Sequence, residues 1–302
     1  MLFVLLNDFH FKPILKKLLF HITLVLALFS CSEIFSQDLA SDEITLKGLF
    51  ESLFARDSVR FLKTDEEKLK LNDTIQKIFK NMLQLDNSID YPFDSLKHIG
   101  KLQSKDKKVR IITWNLKFSD GTFKYYGFVQ YNNLKKDKII TYPLTDKSDS
   151  ISEPENVVLS YYNWFGALHY QMYEYTEKGK NYYILLGWDG NNYYTNKKII
   201  EILSFNNNGK PVFGKSVFKT DGKLRKRVIF EHSIKTTMSC KYNEAADAIV
   251  FDHLSPQKKS QTGEYQFYGP DGSYDGFQLT KGKWLYIPNI YVTNPKAKKK
   301  NK

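Results

Sequence analysis

Residues 109–131 read VRIITWNLKFSDGTFKYYGFVQY, two apolar stretches on either side of the dipeptide Asp120-Gly121. Both stretches are dense in β-branched and aromatic residues, a composition typical of β-strands. Glycine takes the positive φ of a tight hairpin turn, and Asp tolerates the turn beside it. The segment therefore predicts an antiparallel hairpin with strands over 109–118 and 123–131.

Similar turn signals recur along the rest of the chain, at Lys178-Gly179, Asp189-Gly190, Asn208-Gly209, Asp221-Gly222, Asp271-Gly272 and Lys281-Gly282. With the first hairpin they predict a mainly β fold of about thirteen antiparallel strands. The further strands are expected over 138–142, 167–175, 181–187, 197–204, 211–218, 225–233, 234–242, 248–252, 263–268, 274–279 and 283–287. Because one open sheet rarely holds so many strands, we expect a curled meander or sandwich, with propeller-like blades or a barrel as alternatives.

A helical segment is predicted ahead of the strands, over 37–100. Thr64 and Glu67 have the spacing of a capping box, which marks a helix start. Downstream apolar residues recur at intervals of three and four, which indicates one buried face. Those residues are Leu71, Ile75, Ile78, Phe79, Met82 and Leu83, and an earlier helix runs through Leu46, Leu49, Phe50, Leu53 and Phe54. We expect the two helices to pack on the sheet.

The first 36 residues have the pattern of a signal peptide. Basic Lys12, Lys16 and Lys17 precede an apolar run over 18–30, which is too short for a comfortable membrane span. Cleavage between Ser36 and Gln37 would place the mature protein in the periplasm or outside the cell. The alternative is a lipid anchor, since residues 28–31 read LFSC and resemble a lipobox whose Cys31 would be acylated.

The chain carries a formal net charge of +12, and five of its lysines lie within 296–302. A terminal run of this kind is typical of a solvated, disordered tail, which we predict over 293–302, after a β domain over 101–292. The alternative is attraction to an anionic surface such as lipid or polysaccharide. No nucleic-acid recognition motif accompanies the charge, so a nucleic-acid partner is not expected.

Five segments together resemble a family of exported proteins of Bacteroidota-type bacteria. They are VRIITWN (109–115), LLGWDGNN (185–192), KPVFG (210–214), IVFDHL (249–254) and YGPDGSYDGF (268–277). The resemblance covers most of the mature chain. It implies export and a single domain, and it implies no activity.

Asp271, Ser273 and Asp275 alternate before Gly276, as oxygen ligands do in the first half of a calcium loop. The twelfth position is Gly282 where such a loop has a bidentate Glu. The pattern therefore favours Asx-stabilised turns over a metal site. Asp271 and Asp275 stay candidate binding residues, and no cofactor is predicted.

A second candidate lies at Trp188, Asp189, Asn191 and Asn192. An aromatic ring beside amides and a carboxylate can stack on a sugar and bind its hydroxyl groups. The alternative is a structural hairpin loop whose aromatic residue folds back on the sheet. We expect Trp188 to be structural and the three polar residues to be exposed.

For catalysis the clearest candidate is His253, beside Asp252 and near Asp275 in sequence. Neighbouring residues on a strand point to opposite faces, so Asp252 and His253 are not expected to pair. No hydrolase or phosphate-binding motif accompanies them. The sequence favours an exported, non-catalytic binding module for an envelope glycan or anionic surface. The alternative is a hydrolase of an envelope polymer, which would gather His253 and carboxylates in one deep cleft.

Overall fold

The computed structural model describes residues 39–55, 63–133 and 138–291. Strands occupy 48% and helices 21% of the structure, which confirms the mainly β class with helices at the N-terminal side. Among the described residues, no helix is both long and apolar enough to cross a lipid bilayer. The predicted signal peptide over 1–36, Cys31 and the basic tail over 293–302 lie outside the described residues.

Two helices, α1 (39–54) and α2 (Asp65–Met82), come first in these ranges. Sixteen strands follow within the described residues. They are β1 (Gly100–Gln103), β2 (Val109–Lys117), β3 (Phe123–Asn133), β4 (Lys138–Thr145), β5 (Leu159–Ser160), β6 (Leu168–Glu177), β7 (Lys180–Asp189), β8 (Thr195–Phe205), β9 (Pro211–Phe213), β10 (Phe218–Thr220), β11 (Lys223–Arg225), β12 (Arg227–Ser233), β13 (Cys240–Asn243), β14 (Ala248–Pro256), β15 (Tyr268–Thr280) and β16 (Lys283–Ile287).

The strands form three sheets. The first sheet has the order β1-β2-β3-β4, and the second has β5-β9-β8-β7-β6 with β12 also paired to β8. The third sheet has the order β11-β10-β16-β15-β14-β13. The pairs are antiparallel except β10 with β16, and the predicted β2–β3 hairpin is present with Trp114 opposite Tyr126.

The sheets are stacked, because alternate residues of one strand enter different cores. On β2, Ile112 and Trp114 pack against the helices, whereas Ile111 packs against the second sheet. On β7, Leu185 faces the first sheet and Ile184 faces the third. Helices and sheets thus form successive layers, and the strands divide among three layers as a sandwich extended by one sheet.

The predicted capping box is present at the start of α2. The Thr64 hydroxyl oxygen accepts from the Glu67 backbone N–H at 3.2 Å, and the Glu67 carboxylate accepts from the Thr64 N–H at 2.8 Å. Asp65 is the first residue of α2, and hydrogen bonds from the side chain and backbone of Ser119 hold its pKa at about 2. These contacts tie the helix start to the β2–β3 turn.

One predicted strand is wrong, another is present only in its last part, and one predicted hairpin turn is wrong. Residues 234–239 form a turn and irregular structure, so the strand predicted over 234–242 begins only at Cys240, as β13. In the strand predicted over 263–268, residues 265–267 form a short 3-10 helix. The Asp271-Gly272 signal lies inside β15, which continues through it. The reason is that β15 pairs with β14 on both sides of a bulge, and the bulge takes up the positive φ of Gly272.

Candidate functional site

A bulge in the third sheet brings together the residues that carry the most chemistry. Asp252 of β14 lies opposite Tyr274, and Leu254 lies opposite Pro270. His253 alone therefore spans 271–273 on the partner strand. The extra residues move Asp271 alongside the imidazole, which the regular spacing of a strand would not do.

The His253 ring is held by a buried carboxylate. Its Nδ1 lies 2.6 Å from Oδ2 of Asp275, which is 3% exposed. The Tyr286 hydroxyl donates to the same oxygen at 2.5 Å, and the Asn289 backbone N–H donates to Oδ1 at 3.0 Å. We call His253, Asp271, Asp275 and Tyr286 the bulge cluster.

Asp252 takes no part in the bulge cluster, although it precedes His253 in sequence. Its carboxylate accepts from the Ser239 backbone N–H at 2.6 Å. The two neighbouring side chains thus have separate partners, which confirms that they do not pair.

Hydrogen bonds keep Asp275 ionised. Burial alone would raise the pKa of this carboxyl, but donors from Tyr286, His253 and Asn289 outweigh burial and lower it. Since the ordinary pKa of Asp is about 3.9, the resulting stabilisation is fully present above that pH. It is lost as the pH falls through the lower pKa of the folded state. Near neutral pH Asp275 is therefore charged and keeps its hydrogen bond to the His253 imidazole.

The cluster contains a base and the group that orients it. Asp275 fixes Nδ1 of His253, and the ring is 42% exposed with Nε2 directed toward Asp271 at 3.9 Å, beyond hydrogen-bond distance. An imidazole held in this way can accept a proton from water or a ligand hydroxyl. The nearby Ser273 hydroxyl instead donates to Asp271 Oδ1 at 2.7 Å, so it is not held as a nucleophile.

The same contacts disfavour the alternative of a calcium site at Asp271, Ser273 and Asp275. Asp271 and Asp275 approach opposite nitrogens of the His253 ring, so their carboxylates do not converge on one cation. Asp271 also closes an Asx turn with the Ser273 backbone N–H at 2.9 Å. Across the described part of the chain, no group of three or more His, Cys, Asp or Glu side chains is placed to hold a metal ion.

The prediction for the loop over 188–192 is wrong at Asp189, which was expected to be exposed. Asp189 ends β7 and is 6% exposed. Its Oδ1 accepts from the Tyr125 hydroxyl at 2.9 Å and from the Asn191 backbone N–H at 2.8 Å. Burial raises the pKa of this carboxyl. The side chain belongs to the interior because β7 continues to Asp189 and turns it inward.

The other residues of this loop also make structural contacts. Trp188 is half-buried and packs edge-on against Phe123, with ring centroids 5.5 Å apart. Asn191 and Asn192 were also expected to be exposed and are half-buried. Asn191 donates to Thr195 Oγ1 at 2.6 Å, and Asn192 Oδ1 accepts from two backbone N–H groups of the turn. These contacts favour the structural interpretation of the loop, as expected for Trp188.

A polar groove lies apart from both predicted sites, at the end of the first and second sheets. We call it the sheet-edge groove, and its volume is about 690 Å³. Tyr131 and Phe205 form its aromatic wall, with rings stacked at 3.9 Å and 15°. Its lining residues are Lys108, Tyr131, Asn133, Gly179, Lys180, Asn181, Tyr182, Tyr183, Ser204, Phe205, Asn206, Asn207, Gly209 and Val212.

Sequence reasoning missed this groove because it interpreted residues 206–210 only as a turn. The Asn206 side-chain oxygen accepts from the Asn208 N–H at 3.0 Å and the Lys210 N–H at 3.1 Å. The Tyr142 hydroxyl donates to the Gly209 carbonyl at 2.9 Å, which ties the turn to the first sheet. The turn is thereby held in place, with Asn207 on its exposed side. The run of three asparagines was the available signal.

Comparison with protein-family models, curated proteins and solved structures finds no match for this chain. The resemblance to exported proteins of Bacteroidota-type bacteria therefore stays a prediction.

Proposed function

We propose that this protein is an exported, non-catalytic binding module that holds an envelope glycan in the sheet-edge groove. The observation that supports it is the groove itself. Its volume is about 690 Å³, and an aromatic wall and several exposed amides line it. Its volume lies within the range of about 300–1,000 Å³ common for ligand pockets.

The lining chemistry suits a sugar ring. Half-buried Tyr131 and Phe205 support each other by stacking, so they offer apolar surface at a small cost in side-chain freedom. Asn181 and Asn206 are exposed but hydrogen-bonded within the turns, whereas exposed Asn207 offers an amide side chain that both donates and accepts hydrogen bonds. Hydroxyl groups on the edge of a saccharide need both kinds of partner.

The groove lacks the residues that hydrolysis requires. In the described part of the chain no His, Asp or Glu lines the groove, so these residues supply no proton donor or acceptor of the kind that glycosidases use. The bulge cluster lies on the third sheet, whereas the groove is formed by the first two. Ligand binding and acid–base chemistry are therefore separated, which favours a binder.

The groove is tested with neighbouring asparagines. Asn207 lines the groove, whereas the adjacent Asn208, which is also exposed, does not. We expect Asn207→Ala to weaken binding of envelope oligosaccharides about 3–10-fold by calorimetry, the loss of about one hydrogen bond, and Asn208→Ala to leave it unchanged. Tyr131→Leu should weaken it by a similar factor. Equal binding by all three variants and the wild type would contradict the proposal.

A second candidate, hydrolysis of an envelope polymer, is favoured by the contact between His253 and buried Asp275. The same oligosaccharides serve to test it. The control is His98→Gln, a substitution of an exposed histidine. If the wild type and this control release new reducing ends and His253→Gln does not, the protein is a hydrolase and not a binder.

Export is proposed from the sequence pattern over 1–36 and directs the search to envelope ligands. We expect mass spectrometry of the secreted protein to find Gln37 as its first residue. An N-terminal acylated Cys31 would replace this proposal with a lipid-anchored protein.

A further inference from the structure

Two basic side chains line the sheet-edge groove, Lys108 and Lys180, and among the residues that the structure describes no acidic side chain lines it. Lys180 is exposed at the start of β7. Lys108 lies 3.6 Å from Asp106 and is 37% exposed, so this ion pair is a weak surface pair that a ligand can replace.

The two lysines lie at the same end of the groove. Lys108 belongs to the turn between β1 and β2, and Lys180 follows the turn between β6 and β7. Asn181 donates to Asp106 Oδ2 at 3.1 Å, which joins the two turns directly. Lys108 and Lys180 therefore belong to adjoining turns, while Asn206 and Asn207 come from the turn after β8.

The carboxylate of Asp106 is occupied within its own turn. Its Oδ1 accepts from the Ser104 hydroxyl at 2.6 Å and from the Lys108 backbone N–H at 3.0 Å. These donors, with Asn181 on Oδ2, remain on the carboxylate when a ligand takes over the contact with the Lys108 ammonium group. The groove thus has two lysines at one end and amides with aromatic rings along the rest.

We infer that the sheet-edge groove binds an acidic saccharide, one that places a negatively charged group between Lys108 and Lys180 while a neighbouring ring contacts the aromatic wall. This inference rests on the proposed glycan-binding function. A lysine ammonium group is a compact charge without a fixed hydrogen-bonding plane. The groove therefore selects for negative charge on the sugar and does not require one particular anion geometry.

The test compares a tetramer of galacturonic acid with its methyl ester, which has the same backbone without the charge. We expect the wild type to bind the acid about tenfold more tightly at low salt, since two weak ion pairs contribute about this factor. Added salt should remove the preference, because these side chains are exposed to the solvent. The double variant Lys108→Gln/Lys180→Gln should lose it as well.

The overall charge of +12 requires a matched control, since it attracts any polyanion. Lys77→Gln/Lys80→Gln removes the same charge from exposed positions on α2 and should keep the preference. An equal loss in this variant, or equally tight binding of inorganic polyphosphate, would overturn the inference. Equal binding of the acid and its ester would overturn it while the glycan-binding function stands. Binding of neither probe nor of any envelope oligosaccharide would overturn both.

Discussion

Replacing Trp114 by Ala is expected to lower the free energy of unfolding by about 3–5 kcal/mol, the usual cost of removing a large buried aromatic side chain. The Trp114 ring is completely buried between the helices and the first sheet. It contacts the rings of Phe50, Phe79, Tyr126 and Phe128 at centroid distances of 5.6–6.0 Å.

A polar contact adds to the cost. The indole Nε1 donates to buried Asn72 Oδ1 at 2.7 Å, so truncation leaves that oxygen without its donor. Urea unfolding followed by circular dichroism measures the change. Trp188→Ala is the matched control, because half-buried Trp188 packs on one ring and should cost roughly half as much or less. A loss below about 1 kcal/mol at Trp114 would contradict the packing of α1 and α2 on this face.

This core could be predicted from sequence because its signals are local. Alternation along β2 places Ile112, Trp114 and Leu116 on one face, and the interval of three and four places Ile75 and Phe79 on the facing side of α2. Asp120-Gly121 then sets the register of the hairpin. Each of these signals depends on residues close together in the chain. For this reason the mainly β class and the packing of the helices on the first sheet could be predicted from them.

The bulge and the groove depend on residues far apart in the chain. His253 and Asp275 are 22 residues apart, and their contact exists only because β15 continues through a dipeptide that predicts a turn. The sheet-edge groove joins Lys108, Tyr131 and Phe205, whose proximity follows from how two sheets stack. Neither the strand period nor the turn residues specify that stacking, so the sites were only partly predictable.

Buried charge was also outside the reach of the sequence pattern. Glu201 and Arg227 occupy opposed positions on β8 and β12, and both are completely buried. Arg227 Nε donates to Glu201 Oε2 at 2.8 Å, and Nε2 of buried His169 lies 3.3 Å from the other oxygen. Arg227 also donates to the Pro154 carbonyl. An alternating pattern assigns such positions to apolar residues.

Replacing Arg227 by Leu is expected to cost about 3–5 kcal/mol, because it leaves a buried carboxylate without its main partner. Burial alone would raise the pKa of Glu201, and Arg227 with His169 outweighs burial and lowers it. Without Arg227 the effect of burial prevails, so the folded-state pKa of Glu201 rises. A carboxyl group with a raised pKa destabilises the fold increasingly as the pH rises above its unfolded value of about 4.3.

The loss caused by Arg227→Leu should therefore be smaller at pH 4 than at pH 8, as measured by urea unfolding at each pH. The double variant Glu201→Leu/Arg227→Leu removes both charges, and it should recover most of the stability because buried ion pairs often gain little over apolar contacts. If the double variant is as unstable as Arg227→Leu, the cost comes from lost packing and from the Pro154 contact. An interaction free energy near zero between the two substitutions would then show that the pair is not coupled.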